Sequence, residues 1–108
     1  NYWFYHDNPE EIDHERPPKI GESYPDLLAD SIKGDFSIIG EAKASIDDLI
    51  SVHAEKQIKD YFKYIEIIGA GEFIIAVPEE LKKKAEEIIN KNTADMNKEK
   101  IKTLIIFK

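Results

Sequence analysis

The spacing of apolar and polar residues changes period along the chain, and each change marks an element. Residues 27–32 and 36–43 are short β-prone runs rich in Leu and Ile. Lys33, Gly34 and Asp35 between them read as a turn, with Gly34 free to take positive φ, so the two runs are expected to pair as a hairpin. From Ser45 onward the period lengthens. Ile46, Ile50, Ala54, Ile58, Tyr61, Phe62 and Ile65 recur at helical spacing, and Gly69 and Gly71 stop the pattern. Ser45 is the expected N-cap of this helix, with Asp48 three residues later in a capping-box arrangement. Residues 73–77 predict a strand. Pro78 opens a second helix with Leu81, Ala85, Ile88 and Ile89 on one face, and residues 101–107 predict a last strand.

Ahead of the hairpin, residues 19–23 predict a short strand, and Asn8 with Pro9 predict a short helix ended by Arg16, Pro17 and Pro18. The rings of Tyr2, Trp3, Phe4 and Tyr5 read as a buried strand or a contact to a further domain; stacking on bases is the other role such rings take. The expected organisation is an aromatic segment and short helix over 1–18, then the main domain over 19–108. The fold class is α/β: a hairpin followed by helical crossovers implies a mixed central sheet of four to five strands flanked by helices.

Composition narrows the partners. A chain of 108 residues supports one domain with a modest core. No run approaches the roughly 18 apolar residues of a membrane span, and no basic segment followed by an apolar one marks a secretory signal, so no membrane partner is expected. Without cysteine there are no disulfides and no thiolate metal sites, which fits a cytoplasmic protein. The chain begins at Asn1, so a domain of a larger protein is the expectation. A net charge of −7 argues against simple coating of nucleic acid, and the lone Arg16 leaves little bidentate base reading. An acidic balance is compatible with a metal-dependent site, where carboxylates are collected to hold a cation.

Acid-x-Lys occurs twice, at Glu41-Ala42-Lys43 and at Glu80-Leu81-Lys82. Residues two apart share a face in a strand but diverge by about 200° in a helix. Glu41 and Lys43 can therefore converge, and Glu80 and Lys82 cannot. The hairpin brings Asp26, at the start of its first strand, beside Glu41 at the end of its second. Two neighbouring carboxylates repel unless a cation lies between them, and a hard divalent ion suits oxygen ligands of this kind. The lysine run 82–84, set between Glu79-Glu80 and Glu86-Glu87, reads as a solvated helix face.

Pro25-Asp26 with Glu41-Ala42-Lys43 resembles the PD-(D/E)xK nuclease motif of restriction endonucleases and many repair nucleases, over roughly residues 19–77. Gln57 and Tyr61 resemble the Q-x-x-x-Y helix of its RecB-like members. His53, a turn earlier on the same face, is similar to the His-x-x-x-Gln of some phage and restriction-associated members. The resemblance implies a restriction endonuclease-like core and a metal-dependent DNA nuclease acting in restriction, defence or repair. It implies Asp26, Glu41 and the Ala42 carbonyl as ligands of Mg²⁺, with Mn²⁺ able to substitute. It makes Lys43 the residue that orients the attacking water, Gln57 a catalytic support, and Tyr61 and His53 supporting residues. A family acid on an N-terminal helix would be Glu11, Glu15 or Glu22. DNA is the expected partner, with a homodimer or partner domain supplying a second site for cutting both strands. The alternative is a catalytically silent DNA- or protein-binding domain of the same fold; an RNA-directed nuclease is a third reading. Taken singly, Asp26, Asp30 and Asp35 also read as turn residues, and His53 as an ordinary helix histidine.

Overall fold

The expected hairpin forms around Gly34, which takes φ +75°. Strands β2 (Leu27–Ser31) and β3 (Ser37–Ala42) pair antiparallel, with Leu28 opposite Ile39. Ser31 locks the turn: its hydroxyl accepts the main-chain N–H groups of Asp35 and Phe36, both at 3.1 Å, and donates to the Asp35 carboxylate at 2.8 Å. The computed structural model describes residues 2–6 and 18–107 of the chain. The helix expected from Asn8, together with Glu11 and Glu15, lies outside the described residues.

Residues Tyr2–His6 form strand β1, which pairs antiparallel with β2 and makes the aromatic segment part of the same sheet. It is an edge strand, with Tyr2 exposed and Tyr5 half-buried against the core. Beyond β3 the ladder turns parallel, through β4 (Gly71–Val77) and then β5 (Ile101–Phe107), giving a five-stranded mixed sheet in the order β1-β2-β3-β4-β5. Parallel neighbours need crossovers. Helices α1 (Ile46–Ile50) and α2 (Val52–Ile68) make the first, and α3 (Lys82–Thr93) makes the second.

The helix expected over the whole of 45–68 is two. Ser51 takes an extended conformation, and its hydroxyl accepts the Ala54 N–H at 3.0 Å, capping α2 while ending α1. Ser45 caps α1 as expected, accepting the Asp48 N–H at 3.1 Å; the Asp48 carboxylate answers by accepting the Ala44 N–H at 3.0 Å. Pro78 is followed by a 3₁₀ turn, Glu79–Leu81, before α3 begins. The strand expected over 19–23 is a single bridge between Ile20 and Ser23 across a turn at Gly21. The Asp60 carboxylate accepts the Glu22 N–H and the Ser23 hydroxyl there, which satisfies the turn without a ladder.

Strand residues alternate between faces. Leu28, Ile39, Phe73, Ile75 and Val77 point beneath the helices and meet Ile58, Phe62, Ile65, Ala85 and Ile89 in one core; the Phe62 and Phe73 rings lie 5.0 Å apart. Asp30 corrects the expectation of a turn residue. It falls two residues from Leu28 on the covered face, where it accepts the Ser37 hydroxyl at 2.7 Å and the Tyr64 hydroxyl at 2.8 Å. Lys82 and Lys83 are exposed and Lys84 pairs with Glu87 at 3.4 Å, the solvated face expected of that run.

At the start of β4, a Cβ on Gly71 would overlap the Ser37 carbonyl oxygen and crowd Ile65 at 2.8 Å. Gly34, by contrast, has open space around it. Gly71→Ala is therefore expected to lower unfolding free energy by about 2–3 kcal/mol. Gly34→Ala is expected to cost only about 1 kcal/mol, for the positive φ. Urea titration of both variants checks the ranking.

Candidate active site

Three strand ends meet below the N-terminal turns of α2. The Asp26 N–H donates to the Gly40 carbonyl at 3.1 Å, which extends the β2–β3 ladder one residue past Leu27. The Asp26 carboxylate then accepts the Ala42 N–H at 2.9 Å. On the other side, the Lys43 N–H donates to the Ala76 carbonyl at 2.9 Å. The end of β3 is thus held from both sides, by Asp26 and by β4. Main-chain groups alternate along a strand, so the Ala42 carbonyl turns to the Asp26 side, beyond Leu27, the first residue of β2.

Strand alternation also sets the side chains. Glu41 and Lys43 follow Ile39 on the covered face and are 7% and 4% exposed, whereas Ala42 lies on the other face and is exposed. Asp26 has the parity of Leu28 but sits at the sheet's end, open to solvent. The Lys43 ammonium donates to the Gln57 side-chain oxygen at 2.5 Å, and Gln57 is itself buried. One turn further along α2, Tyr61 is fully buried, its ring 6.2 Å from that of Phe73.

Among the described residues, two buried polar atoms lack a hydrogen-bond partner, and both are here: the Oε2 of Glu41 and the hydroxyl of Tyr61. Burial, and after it the neighbouring Asp26 charge, push the Glu41 carboxyl up to about 8, against the opposing pull of the nearby Tyr61 hydroxyl and of the Lys43 ammonium. Burial, followed by the Glu41 charge, also holds the Tyr61 phenol well above its usual range. An oxygen that is buried, unpartnered and repelled by a second carboxylate is one that a cation would satisfy. Among the described residues no group of three or more His, Cys, Asp and Glu side chains converges. The oxygens of this cluster that could hold a hard cation are the carboxylates of Asp26 and Glu41 and the Ala42 carbonyl.

Of the residues expected from sequence, the fold brings Asp26, Glu41, Ala42, Lys43, Gln57 and Tyr61 to one place. His53 lies at the start of α2, on the face shared with Gln57, and is exposed. Glu22 is exposed and pairs with Lys56, away from the carboxylates. A groove of about 240 Å³ between Leu49, Ile50 and the α3 residues Lys84 and Ile88 does not reach the acid cluster. The Asp30–Ser37–Tyr64 network, unforeseen from sequence, bonds β2, β3 and α2 together, and Ser37 begins the strand on which Glu41 lies. Its one sequence signal is that Asp30 shares the parity of Leu28.

Comparison with protein-family models, with curated proteins and with solved structures found no match to this chain.

The folded state holds the Glu41 proton more tightly than an unfolded chain with the ordinary value of 4.5. This group thus favours folding below about pH 4.5, and the contribution is withdrawn as pH rises towards 8, at up to about 1.4 kcal/mol per pH unit. Glu41→Gln removes that titration. Its stability relative to wild type is expected to climb between pH 5 and 8 in urea unfolding; a constant difference would contradict the raised carboxyl.

Proposed function

We propose that this chain is a metal-dependent nuclease that hydrolyses DNA phosphodiester bonds. The observation that carries the reading is the convergence of Asp26, Glu41 and Lys43 at one end of β3, with a buried Glu41 oxygen that lacks a donor among the described residues. The order of elements around it supports the resemblance to the PD-(D/E)xK nucleases. A hairpin ends in the acid-x-Lys strand, a helix carrying Gln57 and Tyr61 follows, and the next strand returns parallel.

In this reading Asp26, Glu41 and the Ala42 carbonyl hold Mg²⁺. When bound, the ion supplies Lewis-acid polarisation of the scissile phosphate and offsets the repulsion between the carboxylates. Lys43 orients the attacking water and balances negative charge that grows on the phosphoryl oxygens as the bond to the leaving oxygen breaks. Gln57 fixes the Lys43 ammonium through its side-chain oxygen, so the charge need not be positioned during the reaction. Burial of Glu41 and Lys43 under α2 strengthens their electrostatic influence, and exposure of Asp26 leaves the cluster open on the side from which a polymer backbone can approach.

Nicking of supercoiled plasmid in Mg²⁺ or Mn²⁺ tests this. Lys43→Ala and Glu41→Ala are expected to reduce the rate by at least about 100-fold, a loss of the size that follows removal of a group stabilising transition-state charge. Gln57→Ala is expected to cost less, since Lys43 remains. Equal cutting by wild type and both alanine variants would overturn the reading. DNA binding without cutting would instead identify a silent binding domain. A parallel RNA substrate separates the two nucleic acids.

A further inference from the structure

Among the described residues, the outer strand β5 leaves one pairing edge unused. It is last in the sheet, and among the described residues no strand lies on its outer side. The Gly71 N–H donates to the Lys100 carbonyl at 2.9 Å, and inward-bonding residues alternate along a parallel ladder. Lys102, Leu104 and Ile106 therefore bond towards β4, while Thr103, Ile105 and Phe107 turn their main-chain N–H and C=O groups outward. Side chains on both faces of the strand are exposed: Leu104 at 47% and Ile106 at 43% on one, Phe107 at 49% and Thr103 on the other. The devices that commonly protect an edge are few here. The strand is seven residues long, contains no proline, and has one charge, Lys102, whose partner across the ladder is Glu72 of the same copy.

We infer that β5 pairs antiparallel with β5 of a second copy, joining two sheets into one. The strand is self-complementary in the register centred on Leu104. Thr103 then faces Ile105 of the second copy and Ile101 faces Phe107, so that outward main-chain groups meet outward main-chain groups. Leu104 meets its own counterpart at a non-hydrogen-bonded position, where side chains approach most closely. The two Lys102 residues lie four positions apart along the strands, about 13 Å, so no like charges are opposed. A net charge of −7 on each copy repels the other, so added salt strengthens the pairing, whereas DNA binding weakens with salt. The inference is independent of the nuclease reading.

Sedimentation equilibrium of the 108-residue chain over about 1–500 μM tests it, with circular dichroism confirming that each variant folds. Wild type is expected to sediment with twice the chain mass, the dimer fraction rising from low to high salt. Thr103→Pro removes an outward donor without touching the β4 ladder and is expected to weaken the dimer at least tenfold. Leu104→Lys and Leu104→Glu are each expected to be monomeric, and an equal mixture to return to dimer mass. A wild type that stays monomeric throughout, variants that keep the wild-type mass, or a mixture that stays monomeric overturns the proposal.

Discussion

The antiparallel register of β2 on β3, with Leu27 opposite Gly40, is the constraint on which the candidate site depends. That pairing places Asp26 one step beyond the last strand pair, level with the end of β3. The Asp26 carboxylate can then cap the Ala42 N–H, the one main-chain donor that the missing strand residue would have taken. A slip of one residue would invert every side chain of β3, moving Glu41 and Lys43 to the open face and Ala42 beneath α2. Leu28, Ile39 and Ser37 with Asp30 resist such a slip, because each would lose its buried partner.

The same register creates an energetic conflict at the strand's end. Covering Glu41 with α2 removes water from a carboxylate, and Asp26 adds a like charge. The Lys43 ammonium is close by, yet its strongest contact goes to the Gln57 oxygen, a neutral acceptor. The protein thus holds a cationic side chain in place without neutralising the acid beside it. A fold selected for stability alone would pair these groups directly or replace them with apolar ones, since buried ion pairs contribute little net stability. Carboxyl groups shifted in this way by burial and a like charge cluster at functional sites.

Much of this was legible in the residues. Gly34 with Asp35 marked the hairpin, the spacing of Ala54, Ile58, Tyr61, Phe62 and Ile65 marked α2, and period-two reasoning separated Glu41 and Lys43 from the helical Glu80 and Lys82. Other features were not legible, for identifiable reasons. Ser51 falls within an unbroken helical pattern, and only its extended backbone and its bond to Ala54 divide α1 from α2. Asp30 beside a turn signal reads as a turn residue; its role depends on Tyr64, thirty-four positions away. His53 shares the helical face of Gln57, but helical phase says nothing about how far along α2 the sheet's cover extends.

What the sequence determined by itself was local: which segments pair or coil, and which side chains share a face, because both follow from backbone sterics and the period of apolar residues. The tertiary structure alone decided which end of which strand is buried. It left the Glu41 Oε2 without a partner among the described residues, gave Lys43 to Gln57, exposed His53 and turned Glu22 to Lys56. Desolvation and charge proximity depend on distances between residues far apart in the chain, and those distances exist only once β3 is set between β2 and β4 under α2.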